Sequence, residues 1–168
     1  TNLIDVVWTG TSAEREKLAQ PIRIPLLKGM LGHRVFVIRK TDLNKFRSLN
    51  SLQELAKLRA VQGLDWPDVD ALKHAGLKVE DQISRNSLYK MVSNKIVDYH
   101  PRSTMEILDE FRGTNDPALA IEQKHLLVYP AAMYFFVRTE DTDLANRLTT
   151  GLRNAIADGS FDEHFLSF

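Results

Sequence analysis

The run Val6-Val7-Trp8-Thr9-Gly10-Thr11-Ser12 ends an apolar stretch in four small or hydroxyl residues, and Arg15 follows three residues later. Small residues leave room for a ligand, hydroxyls donate and accept hydrogen bonds, and a guanidinium grips a carboxylate through two parallel bonds. That set suits non-covalent capture of an anion. The competing account is architectural: Thr11 and Ser12 cap a helix, and Arg15 lies on its solvated face. Two other stretches have the same form, a strand running into a helix: Gln62-Gly63-Leu64-Asp65-Trp66 and Tyr99-His100-Pro101-Arg102-Ser103. Free N–H groups and a partial positive charge at helix N-termini favour anions at such turns. Trp8 and Trp66 stand beside two of them, as walls for a small molecule or as core fillers. His100 and Arg102 are ligand contacts, or Arg102 is a surface charge.

Several chemistries are set aside. The chain has no cysteine, which excludes disulfides, thiolate metal sites and a thiol nucleophile. His33, His74, His100, His125 and His164 show no metal-ligand spacing, so no metal is expected. There is no P-loop, no G-x-S-x-G elbow and no G-x-G-x-x-G, and the carboxylates are scattered. No cofactor is expected, no catalytic residue is assigned, and the reading is of a protein that is not an enzyme.

The elements that must position these residues alternate between strand and helix. Leu3 to Trp8 reads as a buried strand. Thr11-Ser12-Ala13-Glu14 fits a capping box that opens a helix ending before Pro21. Arg34 to Arg39 is a second strand. Ser51-Leu52-Gln53-Glu54 is another capping box, followed by a strand over Arg59 to Gln62. A helix then carries Pro67 in its first turn and stops at Gly76. Leu77 to Glu80 is a short strand, Asn86 to Lys95 a helix and Ile96 to Tyr99 a strand. Ser103-Thr104-Met105-Glu106 forms a third capping box. Ala118 to Val137 is extended. Leu144, Leu148, Leu152, Ala155 and Ile156 make one buried helical stripe, closed by Gly159. This alternation predicts an α/β fold with mainly parallel strands.

At 168 residues, with 43% apolar and 26% charged residues, the chain suits one domain or two small lobes. Its formal net charge is zero, so no global field recruits nucleic acid or an anionic membrane. The basic stretch Arg39 to Arg47, broken by Asp42, reads as a solvated surface. No apolar run approaches the roughly 18 residues of a membrane span.

Four stretches, in order over nearly the whole chain, carry a resemblance. They are "TSAEREKLAQPIRIPLL", "SLQELAKLRAVQGLDW", "NKIVDYHPRSTMEIL" and "YFFVRTEDTDLANRLTTGLRNAIADGSFDEHF". Together they resemble the family 3 extracellular solute-binding proteins, whose type 2 periplasmic binding fold includes polar amino-acid receptors of ABC transporters. The resemblance implies two α/β lobes with the ligand between them. Ser12 and Arg15 match the hydroxyl and arginine that receive a ligand carboxylate, and Gln62, Gly63, Leu64 and Asp65 match the second-lobe turn. Ser103 stands where amino-acid receptors carry an acid for the α-ammonium group; a serine has no negative charge to offer, and Asp65 is the nearby substitute. The expected ligand contacts are therefore Trp8, Thr9, Thr11, Ser12, Arg15, Gln62, Gly63, Leu64, Asp65, Trp66, Tyr99, Arg102 and Ser103.

The resemblance also sets the expected organisation: a partial first lobe and crossover over 1–39, a complete second lobe over 40–123, and a return crossover with the closing helix over 124–168. The family's opening βαβ portion has no counterpart, so the chain reads as a piece of a longer precursor whose uncovered apolar face favours self-association or a partner fragment. The expected function is periplasmic or extracytoplasmic capture of a small polar or anionic solute. Hinge closure at 34–39 and 127–135 would present it to a membrane permease or sensor. The alternatives are a ligand-sensing domain of a membrane receptor, a dehydratase using Asp65 or Glu14, and an interaction domain that binds nothing.

Overall fold

Seven consecutive residues, His33 to Arg39, show how this sequence builds its larger sheet: Val35, Phe36, Val37 and Ile38 run without a polar break. A strand covered on both faces needs such a continuous apolar run. The computed structural model describes residues 4–82 and 85–167; Leu3, placed above at the start of the first strand, lies outside them. The order is β1 (Val6–Gly10), α1 (Ala13–Leu18), β2 (Gln20–Ile22), β3 (His33–Arg39), α2 (Leu43–Arg47), α3 (Leu52–Leu55), β4 (Arg59–Gly63), α4 (Asp68–His74), β5 (Lys78–Gln82) and α5 (Arg85–Ser93). There follow β6 (Tyr99–Ser103), α6 (Ile107–Thr114), β7 (Leu119–Ile121), β8 (Leu127–Val128), β9 (Met133–Val137), α7 (Thr142–Asp158) and α8 (Ser160–Leu166).

The chain divides into two compact units, Thr1–Leu31 with Pro130–Phe168, and Gly32–Tyr129. In the second unit the strands lie in the order β5-β4-β6-β3-β7, with β8 also paired to β3. Alternation along β3 sends Phe36 and Ile38 to one face, where they meet Phe46, Leu55, Leu72 and Tyr99. Val37 goes to the other face, with Val61, Leu88, Val92, Val97 and Ile107. Helices therefore cover both sides of the sheet.

In the first unit β9 lies between β1 and β2, antiparallel to both. Val6, Phe135, Val137 and Ile22 face α7 and pack on Leu144, Ala145, Leu148 and Leu152. Asp141 caps α7 through its carboxylate, which accepts from the Leu144 N–H at 3.2 Å.

The expectation of mainly parallel strands is corrected. Among the described residues only β4–β5 and β4–β6 run parallel, while β3 is antiparallel to β6, β7 and β8. Burial periodicity carries no strand direction, since either direction buries both faces equally. The first strand is also less buried than expected: Trp8 is 66% and Val7 45% exposed, because β1 is the edge of a three-stranded sheet. The stripe on α7 is only half-buried apart from Ala145, and Ile156 is exposed.

Two capping expectations move. Ser12, not Thr11, is the N-cap of α1, its side chain accepting from the Arg15 N–H. The third box does not form: β6 runs on to Ser103, α6 begins at Ile107, and the Glu106 carboxylate turns to arginines instead of to the backbone. Pro67 sits at the cap position of α4, just before its first turn. Gly159 does end α7, at φ +85, but α8 follows at once; β2 is a further element the sequence reading lacked.

Candidate functional site

The end of β1 gathers the residues with which the sequence reading began. The ladder to β9 continues one step beyond the strand, with the Thr11 N–H donating to the Ala132 carbonyl at 2.9 Å. Ser12 is extended, with φ −148 and ψ 162, and its hydroxyl accepts the Arg15 N–H at 3.2 Å. That cap starts α1 abruptly and places Arg15 within its first turn. The half-buried Arg15 side chain folds back over the strand end, where Nη1 donates to Thr9 Oγ1 at 2.6 Å and to the Gly10 carbonyl at 2.7 Å. The Thr11 hydroxyl donates to Glu16 Oε1 at 2.6 Å, and Arg23 pairs with the same carboxylate. These contacts hold the Glu16 carboxyl below the usual range. Thr9, Thr11, Ser12 and Arg15 are thus brought together, with Trp8 exposed beside them.

In the second unit the end of β4 forms a tight turn. The Trp66 N–H donates to the Gly63 carbonyl at 3.2 Å, and Asp65 adopts the left-handed region at φ 59. The Trp66 ring folds over Gly63 so closely that a Cβ at position 63 would lie inside the ring's van der Waals surface. Leu64 is 42% exposed. Gln62 points inward and is fully buried; its Nε2 donates to the Pro101 carbonyl at 3.0 Å and to Asp68 Oδ2 at 3.4 Å.

Beneath this turn lies an ionic cluster. The Arg102 guanidinium stacks on Trp66, 4.7 Å from the ring centroid, and forks onto Glu110: Nε to Oε2 at 2.7 Å and Nη2 to Oε1 at 2.6 Å. Glu106 Oε2 also accepts from Arg102 Nη2, at 3.0 Å, and lies 3.9 Å from Arg34 Nη1. Arg34 in turn meets Asp68 Oδ2 at 2.7 Å and packs on the Tyr129 ring. Burial works against the Arg102 charge, but Glu106 and Glu110 reverse that effect and raise its pKa. His100 is buried under Tyr89 and Trp66, with Nδ1 2.8 Å from the Val61 carbonyl. Burial, then the Arg102 and Arg34 charges, push its pKa down to about 3, so the ring is neutral.

The structure thus gathers Gln62, Gly63, Trp66 and Arg102 around one turn. Ser103 is buried at the end of β6, its hydroxyl accepting from the Met105 N–H at 3.3 Å. Tyr99 is apart: its ring packs edge-on to Phe36 and Phe46 in the core. The sequence reading lacked Arg34, Asp68, Glu106 and Glu110. One signal was available: Arg102 is followed by carboxylates at 106 and 110, although only Glu110 lies on α6 and Arg102 belongs to β6. Among the described residues no group of three or more His, Asp or Glu side chains is placed to hold a metal ion.

No family model matches the chain, and no curated protein matches it by sequence. Solved structures do. An ancestral arginine-binding protein bound to arginine matches with a TM-score of 0.71 at 18% identity, over 98% of this chain and 71% of that one. A binding component of an ABC transporter from Wolinella succinogenes, described as putative and complexed with lysine, matches at 0.73 and 16%, over 96% and 68%. An ancestral amino acid-binding protein, a precursor of cyclohexadienyl dehydratase, matches at 0.70 and 15%, over 99% and 69%. The chain has the type 2 periplasmic-binding fold. It spans about 70% of the length of those structures. The sequence resemblance and the fold therefore agree, and the turns at Thr9–Arg15 and Gln62–Trp66 both follow a strand end within that fold.

Proposed function

We propose that this protein captures a small polar or anionic solute without covalent chemistry, as an extracytoplasmic binding protein of the amino-acid type that delivers its ligand to a membrane permease. The observation that carries this reading is Arg15. The Thr9 hydroxyl and the Gly10 carbonyl both accept from its Nη1, which holds the guanidinium over the end of β1. A carboxylate is the complement of a guanidinium. The fold supports the same conclusion, since matched structures were solved with arginine or lysine bound. Among the described residues no helix is long and apolar enough to cross a membrane.

The ligand class follows from position 103. Where the resemblance places an acid for an α-ammonium group, this chain has a fully buried serine engaged with the Met105 N–H, so no countercharge comes from it. This favours ligands recognised by their carboxylate over those that depend on a buried ammonium partner. Titration calorimetry against arginine, lysine, glutamine and simple carboxylates tests this directly. One or more should bind, and Arg15→Ala should weaken that binding about 30-fold or more, the usual penalty for removing one partner of a desolvated charge pair. The melting temperature should be nearly unchanged, because the side chain supports no core packing. Undiminished affinity in Arg15→Ala would refute the assignment.

A further inference from the structure

Five exposed basic residues of the second unit lie around the start of β4. Arg59 opens β4 and stands in register with Lys78, which opens β5. Neighbouring strands are about 5 Å apart, so these two cations lie side by side. Asp98, just before β6, accepts the Arg59 N–H at 2.9 Å and pairs with Lys45 at 2.9 Å. Lys57 precedes Arg59 by two residues, and Lys95 and Ile96 precede Asp98 in the turn after α5. Lys45, Lys57, Arg59, Lys78 and Lys95 are all exposed, and Ile96 is 50% exposed among them.

The acids nearby do not balance this charge. Asp42 and Asp98 both pair with the buried Arg39, and Glu80 lies two residues beyond Lys78. With Glu54, three residues before Lys57, five exposed cations and Arg39 face four carboxylates, six against four, in a chain whose formal net charge is zero. Burial works against the Asp98 charge. Even so, the Arg59 N–H, Lys45 and Arg39 hold its carboxyl below the usual range.

We propose that this patch docks the second unit on an anionic phospholipid surface, with Ile96 entering the headgroup layer. Four of the five exposed cations are lysines, compact charges on flexible stems that suit a diffuse lipid field better than forked recognition of a protein carboxylate. Clustered cations around an exposed apolar side chain are the combination that binds membrane interfaces. The patch lies at the start of β4 and the Gln62–Trp66 turn at its end, roughly 13 Å away along the strand. Contact with the bilayer therefore leaves that turn open. This inference stands independently of the solute-binding reading.

Co-sedimentation of the whole chain with vesicles of mixed phosphatidylglycerol and phosphatidylcholine, against phosphatidylcholine alone, tests the proposal. Retention should appear only on the anionic vesicles and should fall as salt rises. Lys78→Gln combined with Lys95→Gln should lower the partition coefficient about 25-fold, roughly fivefold for each cation. Ile96→Ser should weaken the retention that survives at high salt. All three positions are exposed, so melting curves should be unchanged; if the double variant melts early, Lys57→Gln with Arg59→Gln replaces it. Absence of retention, equal retention on phosphatidylcholine, or an unaffected double variant would overturn the proposal. So would preferential capture of polyglutamate over vesicles of equal charge, which would assign the patch to an acidic protein segment.

Discussion

Arg15 and Arg102 are both arginines beside a strand end, each with its own acceptors. The Thr9 hydroxyl and the Gly10 carbonyl accept from Arg15 at the end of β1, and Glu110 and Glu106 hold Arg102 through charge-assisted bonds at the end of β6. The second arrangement is structural: it anchors a flat cation on which Trp66 lies. Gly63 completes that stack, because its lack of a side chain lets the indole descend onto the strand end. Gly63→Ala should therefore push the ring off Arg102 and cost about 1–3 kcal/mol, the range for an overpacked contact. Chemical denaturation and a shift in tryptophan emission would measure both effects. At this scale the crowding of Thr9, Thr11, Ser12 and Arg15 at one strand end was legible from their adjacency in the chain, and the structure does bring them together. Arg34 and Asp68 were not legible, because nothing local in the sequence shows that residues 34 positions apart will share a buried ion pair.

Elements were legible where their signal was local and failed where it depended on neighbours. The apolar run of β3 and the i, i+4 stripe of α7 identify themselves. The start of α6 misled, because Ser103 and Glu106 have capping spacing, while the Ser103 hydroxyl accepts from the Met105 N–H and the Glu106 carboxylate pairs with Arg102. Polar residues at the end of β6 also disguised it as a turn; Arg102 and Ser103 are buried there only because partners receive them. The cap of α7 did form, with Asp141 satisfying the Leu144 N–H. Since α7 is the helix that packs on the three-stranded sheet, Asp141→Ala should destabilise the first unit by about 1 kcal/mol. A fall in melting temperature, reversed by Asp141→Ser, would identify the cap as the cause.

For the molecule as a whole, pH and charge distribution matter more than total charge. A net charge of zero describes the sum, and it concealed a local excess of basic residues because residues 45, 57, 59, 78 and 95 meet only after folding. Buried His100 makes stability fall in mild acid. The folded state keeps the ring neutral down to about 3, whereas an unfolded chain protonates it below its ordinary value of 6.5. Between those limits the unfolded state binds the extra proton, so this contribution is present above pH 6.5 and lost as pH falls toward 3. The slope reaches about 1.4 kcal/mol per pH unit. Urea titrations from pH 7 to 4 should show this loss, and His100→Gln should flatten it. A variant with the full wild-type slope would exclude the histidine as its source.

The chain has two tryptophans, and the fold gives one to each unit: Trp8 in contact with solvent at a sheet edge, Trp66 pressed between a backbone turn and a guanidinium. Nature has in effect installed a lamp within the second half whose colour shifts when that half melts, and a second lamp, already wet at the edge of the first, that serves as a steady reference without any added dye.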